Sequence, residues 1–165
     1  MTYSAKAVAN LLIDVARENG SSLDQMKLQK LVYITHGWNL AITNKPLIED
    51  GIQAWKYGPV IPVLYEEFKN CGRNDIMDYA TDVNVADDLS FSFTPPKINE
   101  NDSATYKLAN KIWATYGKYS GPQLSNLTHM PDTPWDKAYI GGGQAVIDNS
   151  LIREHFVNLS RNPNA

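Results

Sequence analysis

The side chains able to do chemistry in this chain are few and scattered. The histidines are His36, His129 and His155, and the only cysteine is Cys71. The histidines form no HExxH and no i,i+4 pair, and one cysteine can build neither a Cys-rich zinc site nor an internal disulfide. Gly141-Gly142-Gly143 lacks the Lys-Ser/Thr of a phosphate-cradling loop, and no GxSxG elbow is present. Glu66-Glu67 and the acidic residues between 75 and 102 could in principle pair as acid and base, but carboxylates of this kind are mostly solvated surface charge. His36 reads as a hydrogen-bonded structural histidine, and Cys71 as a small hydrophobe rather than the nucleophile of a Cys71–His36 dyad. No metal and no cofactor are expected, and the chain reads as a non-enzyme. An enzyme alternative would have to assemble a site from separated residues such as His36, Glu49 and Asp50.

Basic residues interleaved with aromatics are more distinctive. Lys27 and Lys30 stand beside Tyr33 and Trp38, and Lys56 lies between Trp55 and Tyr57. Such a pattern can bind single-stranded nucleic acid by stacking and phosphate contact. It can equally supply the aromatic anchors of a protein–protein contact. A net charge of −3 provides no drive toward phosphate backbones, so direct nucleic-acid binding is not expected. Expected exposure makes Lys27, Lys30, Trp55, Lys56 and Tyr57 the candidate partner-binding residues. Tyr33, Trp38, Gly58, Pro59 and Trp135 read as structural.

The elements that must position these residues follow from periodicity. Val8, Leu11, Leu12 and Val15 have helical spacing after a Ser4 cap, with Gly20 as the stop. A second helix starts near Ser22 or Asp24 and ends at Asn44; Leu28, Leu31, Ile34 or Thr35, Trp38 and Ile42 trace its apolar face, leaving Lys27, Gln29 and Lys30 on or beside the polar side. Asp50-Gly51 between two short apolar runs predicts a β-hairpin of 46–49 with 52–55. Lys56–Pro59 then turns the chain into a helix that carries Val63, Leu64 and Phe68. Residues 73–103 read as an acidic loop, with 89–93 as one strand that could join the hairpin's edge. Four further helices are expected, capped at Ser103, Ser120, Asp132 or Thr133, and Asp148, with a flexible joint at Gly141–Gly143.

With 165 residues, 43% apolar and 20% charged, the chain suits one domain, taken as residues 1–160 with a frayed tail at 161–165. The fold class expected is α+β, mainly α: six to seven helices around a small antiparallel hairpin or sheet. No apolar run approaches the roughly 18–20 residues of a membrane span, and the N-terminus reads as a helix of the domain rather than a signal peptide. A lone thiol fits a reducing cytoplasm.

Several separated motifs agree in order and spacing with a known family. They are Lys27-Leu28-Gln29-Lys30-Leu31 with Tyr33, Gly37-Trp38, Pro46-Leu47, Ala54-Trp55, Gly58-Pro59-Val60 and Tyr65, followed by Tyr119-Ser120, Leu124-Ser125, Thr128-His129 and Pro134-Trp135. This pattern resembles the SocA-like, or Panacea, antitoxin domain, also known from phage-associated proteins of the GepA type. The resemblance spans roughly residues 4–158. It implies an antitoxin that neutralises a toxin encoded beside it, by direct binding or, in one branch, as an adaptor delivering the toxin to a ClpXP-type protease. No enzymatic activity follows from the resemblance.

Overall fold

The computed structural model describes residues 1–162 and holds seven helices among them. Chain order is α1 (Ala5–Glu18), α2 (Gln25–Thr43), β1 (Gln53–Trp55), β2 (Gly58–Val60), α3 (Pro62–Phe68), β3 (Asp82–Val85), β4 (Phe91–Thr94), α4 (Ser103–Tyr116), α5 (Gly121–Thr128), α6 (Pro134–Ala138), β5 (Ala145–Val146) and α7 (Asn149–Arg161). The class is mainly α within α+β, as expected. Arg161 closes α7 and Asn162 caps it; the remainder of the expected tail lies outside the described residues.

Helix starts follow the side chains that can accept from free N–H groups. Ser4, Asp24, Ser120, Thr133 and Asp148 cap α1, α2, α5, α6 and α7. At α4 the cap is Asp102 rather than Ser103: its carboxylate accepts from the Thr105 N–H at 3.2 Å, and from the Tyr3 hydroxyl at 2.7 Å.

Helix α2 is the axis of the molecule and packs against α1, α3, α4, α5 and α7. Every residue from 28 to 37 is buried, so the one-faced helix expected from spacing is in fact buried all round. Ile42, assigned to its apolar face, is instead exposed. Close approach of α7 is permitted by Gly37, which faces the ring of Phe156. Phe156 is held edge-on by Trp38 (5.4 Å) and Tyr33 (6.0 Å).

The β structure departs from expectation in two places. Asp50-Gly51 does not turn a hairpin. Segment 47–49 pairs with Tyr3, through Tyr3 N–H to Leu47 O and Glu49 N–H to Tyr3 O. The Asp50 carboxylate accepts from the Ala5 N–H at 2.6 Å, a favourable place for a negative charge at the start of α1. The tight turn lies at Lys56-Tyr57, between β1 and β2. Gly58 follows it at φ +114°, a conformation closed to ordinary side chains. The sheet order is β2-β1-β5, all antiparallel, with Pro59 tolerated because β2 is an edge. The strand at 89–93 joins no edge of this sheet; as β4 it pairs with β3 in a separate hairpin.

Candidate functional site

Helix α2 contributes more than packing to the β1–β2 turn. Edge strand β2 and Ile61, which follows it, leave main-chain groups without sheet partners, and buried polar groups must be satisfied. Gln29 brackets Ile61, accepting from its N–H at 2.9 Å and donating to its carbonyl at 3.0 Å. One turn of helix is shared with Lys30, whose Nζ donates to the Pro59 carbonyl at 2.8 Å. From the other side, Ser125 Oγ donates to Tyr57 O at 2.6 Å and Trp135 Nε1 to Trp55 O at 2.5 Å. Trp135 is itself stacked on Tyr139, 4.6 Å between centroids. Three helices thus fix the backbone of a five-residue turn.

That turn forms one lip of a groove of about 740 Å³ between the start of α2, α3 and α5. Met26, Val60, Tyr65 and Pro122 supply apolar wall, and Trp55 meets Tyr65 edge-to-face at 5.0 Å. Lys30, Trp55, Lys56 and Tyr57 all line the groove. Tyr57 is 61% exposed, with the Lys56 ammonium 5.4 Å from its ring centroid.

Two candidates behave differently from expectation. Lys30 is not on the surface: it is 3% exposed and has no carboxylate partner among the described residues. Burial pushes its pKa down to about 7. Lys27 lies outside the groove, half-buried; its Nζ donates to Gly117 O at 2.6 Å and sits 5.0 Å from the Trp113 ring, and burial lowers its pKa. The remaining motif residues sit in packing positions: Tyr33 is 2% exposed, and Trp38 Nε1 donates to the Tyr116 hydroxyl. Sequence reasoning missed Arg73, which also lines the groove, because it falls in a stretch with no periodicity.

His36 is fully engaged in holding the fold. Its Nδ1 accepts from the Leu47 and Ile48 N–H groups, both at 3.3 Å, which leaves Nε2 to donate to Asn149 Oδ1 at 2.9 Å. Burial lowers its pKa, in keeping with a neutral ring. Glu49 is exposed, and Asp50 is bonded to α1, so the three residues of the enzyme alternative serve different parts of the structure. Among the described residues no cluster of His, Cys, Asp or Glu could hold a metal ion, and no helix is long and apolar enough to cross a membrane.

A buried axial helix clamping a Gly-Pro turn, with the Pro-Trp helix behind it, is where the sequence motifs meet. The profile described as Antitoxin SocA-like, Panacea domain matches residues 28–136, and the chain belongs to that family. It is 34% identical over 160 residues to Antitoxin SocA of Caulobacter vibrioides (strain NA1000 / CB15N), covering 94% of this chain and 83% of that protein. No solved structure matches. Family membership supports an antitoxin role.

Proposed function

We propose that this protein is a cytoplasmic antitoxin that neutralises a cognate toxin by direct binding, with the groove at the Lys56-Tyr57 turn as the contact surface. The observation that carries the reading is the convergence of Trp55, Lys56 and Tyr57 on one apolar groove, in a chain of an antitoxin family. The turn suits a tight contact. Its backbone is already bonded to Lys30, Ser125 and Trp135, so little chain is left to order on binding. An exposed tyrosine beside a lysine, above apolar wall, matches the composition of interface anchors. Neutralisation then follows from occlusion: a toxin held on this lip has part of its own surface covered.

The test is the affinity of a purified toxin, the product of the adjacent gene, for two variants. Tyr57→Ala and Lys56→Glu should each weaken binding about tenfold or more, equivalent to roughly 1.4 kcal/mol. Neither should change the melting temperature, because both side chains are exposed. Unchanged affinity in both variants would remove the groove from the interface.

A further inference from the structure

The β3–β4 hairpin has no role in the fold that explains its composition. Every residue from 82 to 94 is exposed. Its register pairs Val83 with Phe93 and Val85 with Phe91, so these four side chains share one face, since alternate residues of a strand point the same way. They are 56–70% exposed, and Leu89 at the tip is 76% exposed with φ +64°, an unusual state for a bulky residue. The opposite face carries Asp82, Asn84, Ser92 and Thr94. The hairpin is therefore amphipathic with its apolar side uncovered. A lone two-stranded hairpin is marginal in water, and a contiguous apolar patch on a folded protein marks an interaction surface.

The stalk, by contrast, is fixed. Asn10, buried in α1, accepts from the Ala80 N–H at 2.8 Å and donates to the carbonyls of Ala80 (2.9 Å) and Pro96 (3.1 Å), tying both strands' approaches to one side chain. Thr81 N–H donates to Glu67, and Lys6 bridges Glu67 (3.3 Å) and Asp82 (3.7 Å). A rigidly mounted apolar face is a presented surface.

Charge says what covers it. Asp87 and Asp88 flank the tip, and Asp88 is held below the usual carboxylate range by the Ser90 hydroxyl and N–H, so it stays anionic. Asp82, at the base, lies on the polar face and is paired with Lys6, so the uncompensated charge is at the tip. The one lysine drawn to the hairpin, Lys6, is shared with Glu67. Two copies of this face meeting tip to tip would bring the Asp87 and Asp88 carboxylates together, which costs affinity. A partner with an apolar strip flanked by Lys or Arg meets both features.

We infer that the Val83/Val85/Phe91/Phe93 face is a second contact with the toxin, seated on an apolar strip of that protein rimmed by basic residues. The assignment rests on the antitoxin reading but not on the groove. The test measures toxin binding by the full chain, by Val83→Ser/Phe91→Ser/Phe93→Ser, and by Asp87→Lys/Asp88→Lys. The substituted positions are all exposed, and circular dichroism confirms that each variant is folded. The serine variant should lose at least tenfold in affinity. The lysine variant should associate several-fold more slowly and lose salt dependence, because rim charges steer encounter. If the wild-type chain binds toxin and both variants match it, the hairpin assignment alone is overturned. If the wild-type chain does not bind, the antitoxin reading falls and takes the hairpin with it. A wild-type dimer in sedimentation that the serine variant makes monomeric would overturn the assignment in favour of a second copy.

Discussion

Replacing Gly37 by alanine destabilises the protein by about 1–2 kcal/mol, although alanine is the better helix former. In an open helix the exchange would gain about 1 kcal/mol. Here a Cβ would lie 2.6 Å from the Phe156 Cζ and closer still to Cε2 and Cδ2. The ring cannot swing away cheaply: Phe156 is 3% exposed and bounded by Tyr33, Trp38 and His155. Either α7 moves out or the ring leaves its rotamer, and overpacking of this kind costs about 1–3 kcal/mol, occasionally more. The steric term wins. Urea denaturation of Gly37→Ala should show a lower midpoint at unchanged m, and Gly37→Ala/Phe156→Leu should recover part of the loss. A variant more stable than wild type would mean that α2 and α7 are not this close.

The second large effect is pH dependence set by Lys30. Its folded pKa, near 7, lies below the ordinary lysine value of 10.5, because burial penalises the ammonium. Between those values the unfolded chain binds the proton and the folded chain does not, so stability rises with pH. The contribution is fully present above the unfolded pKa and is lost as pH falls to about 7. At roughly 1.4 kcal/mol per pH unit, the gain from pH 7 to pH 9.5 is about 3 kcal/mol. Lys27, also lowered, acts in the same direction; the raised pKa of Tyr33 acts oppositely, and only above about pH 10. Lys30→Met leaves the Pro59 carbonyl without its donor but removes the titration. Its stability should therefore be flatter across pH 7–9.5 than that of the wild type, as measured by denaturant midpoints at matched ionic strength. Parallel curves would show that Lys30 is solvated.

How much of this was legible in the sequence depends on whether a residue serves its own element or another. Caps at Ser4, Ser120 and Asp148 act on the next two or three residues, and spacing locates them. Asp50-Gly51 carries a hairpin signal, yet Asp50 caps a helix 45 residues away, and local pattern holds no trace of that bond. Gln29 and Lys30 look like the polar side of an amphipathic helix. They are buried because main-chain groups of edge strand β2 and of Ile61, between β2 and α3, need partners, a demand that exists only in three dimensions. The same blindness hid half of the candidate groove: Trp55, Lys56 and Tyr57 are contiguous and readable, whereas Met26, Arg73 and Pro122 reach it only through folding. In the hairpin, the alternation at 89–93 was visible. Its partner, Asp82-Val83-Asn84-Val85, alternates over too few residues to stand out in an acidic stretch.

The most direct test of the central claim is co-expression with the product of the adjacent gene, scoring growth, co-purification and toxin abundance together. Direct neutralisation predicts restored growth, a stable complex and an undiminished level of toxin. Restored growth with falling toxin and no complex would contradict it, as would a neighbouring product that is harmless when expressed alone.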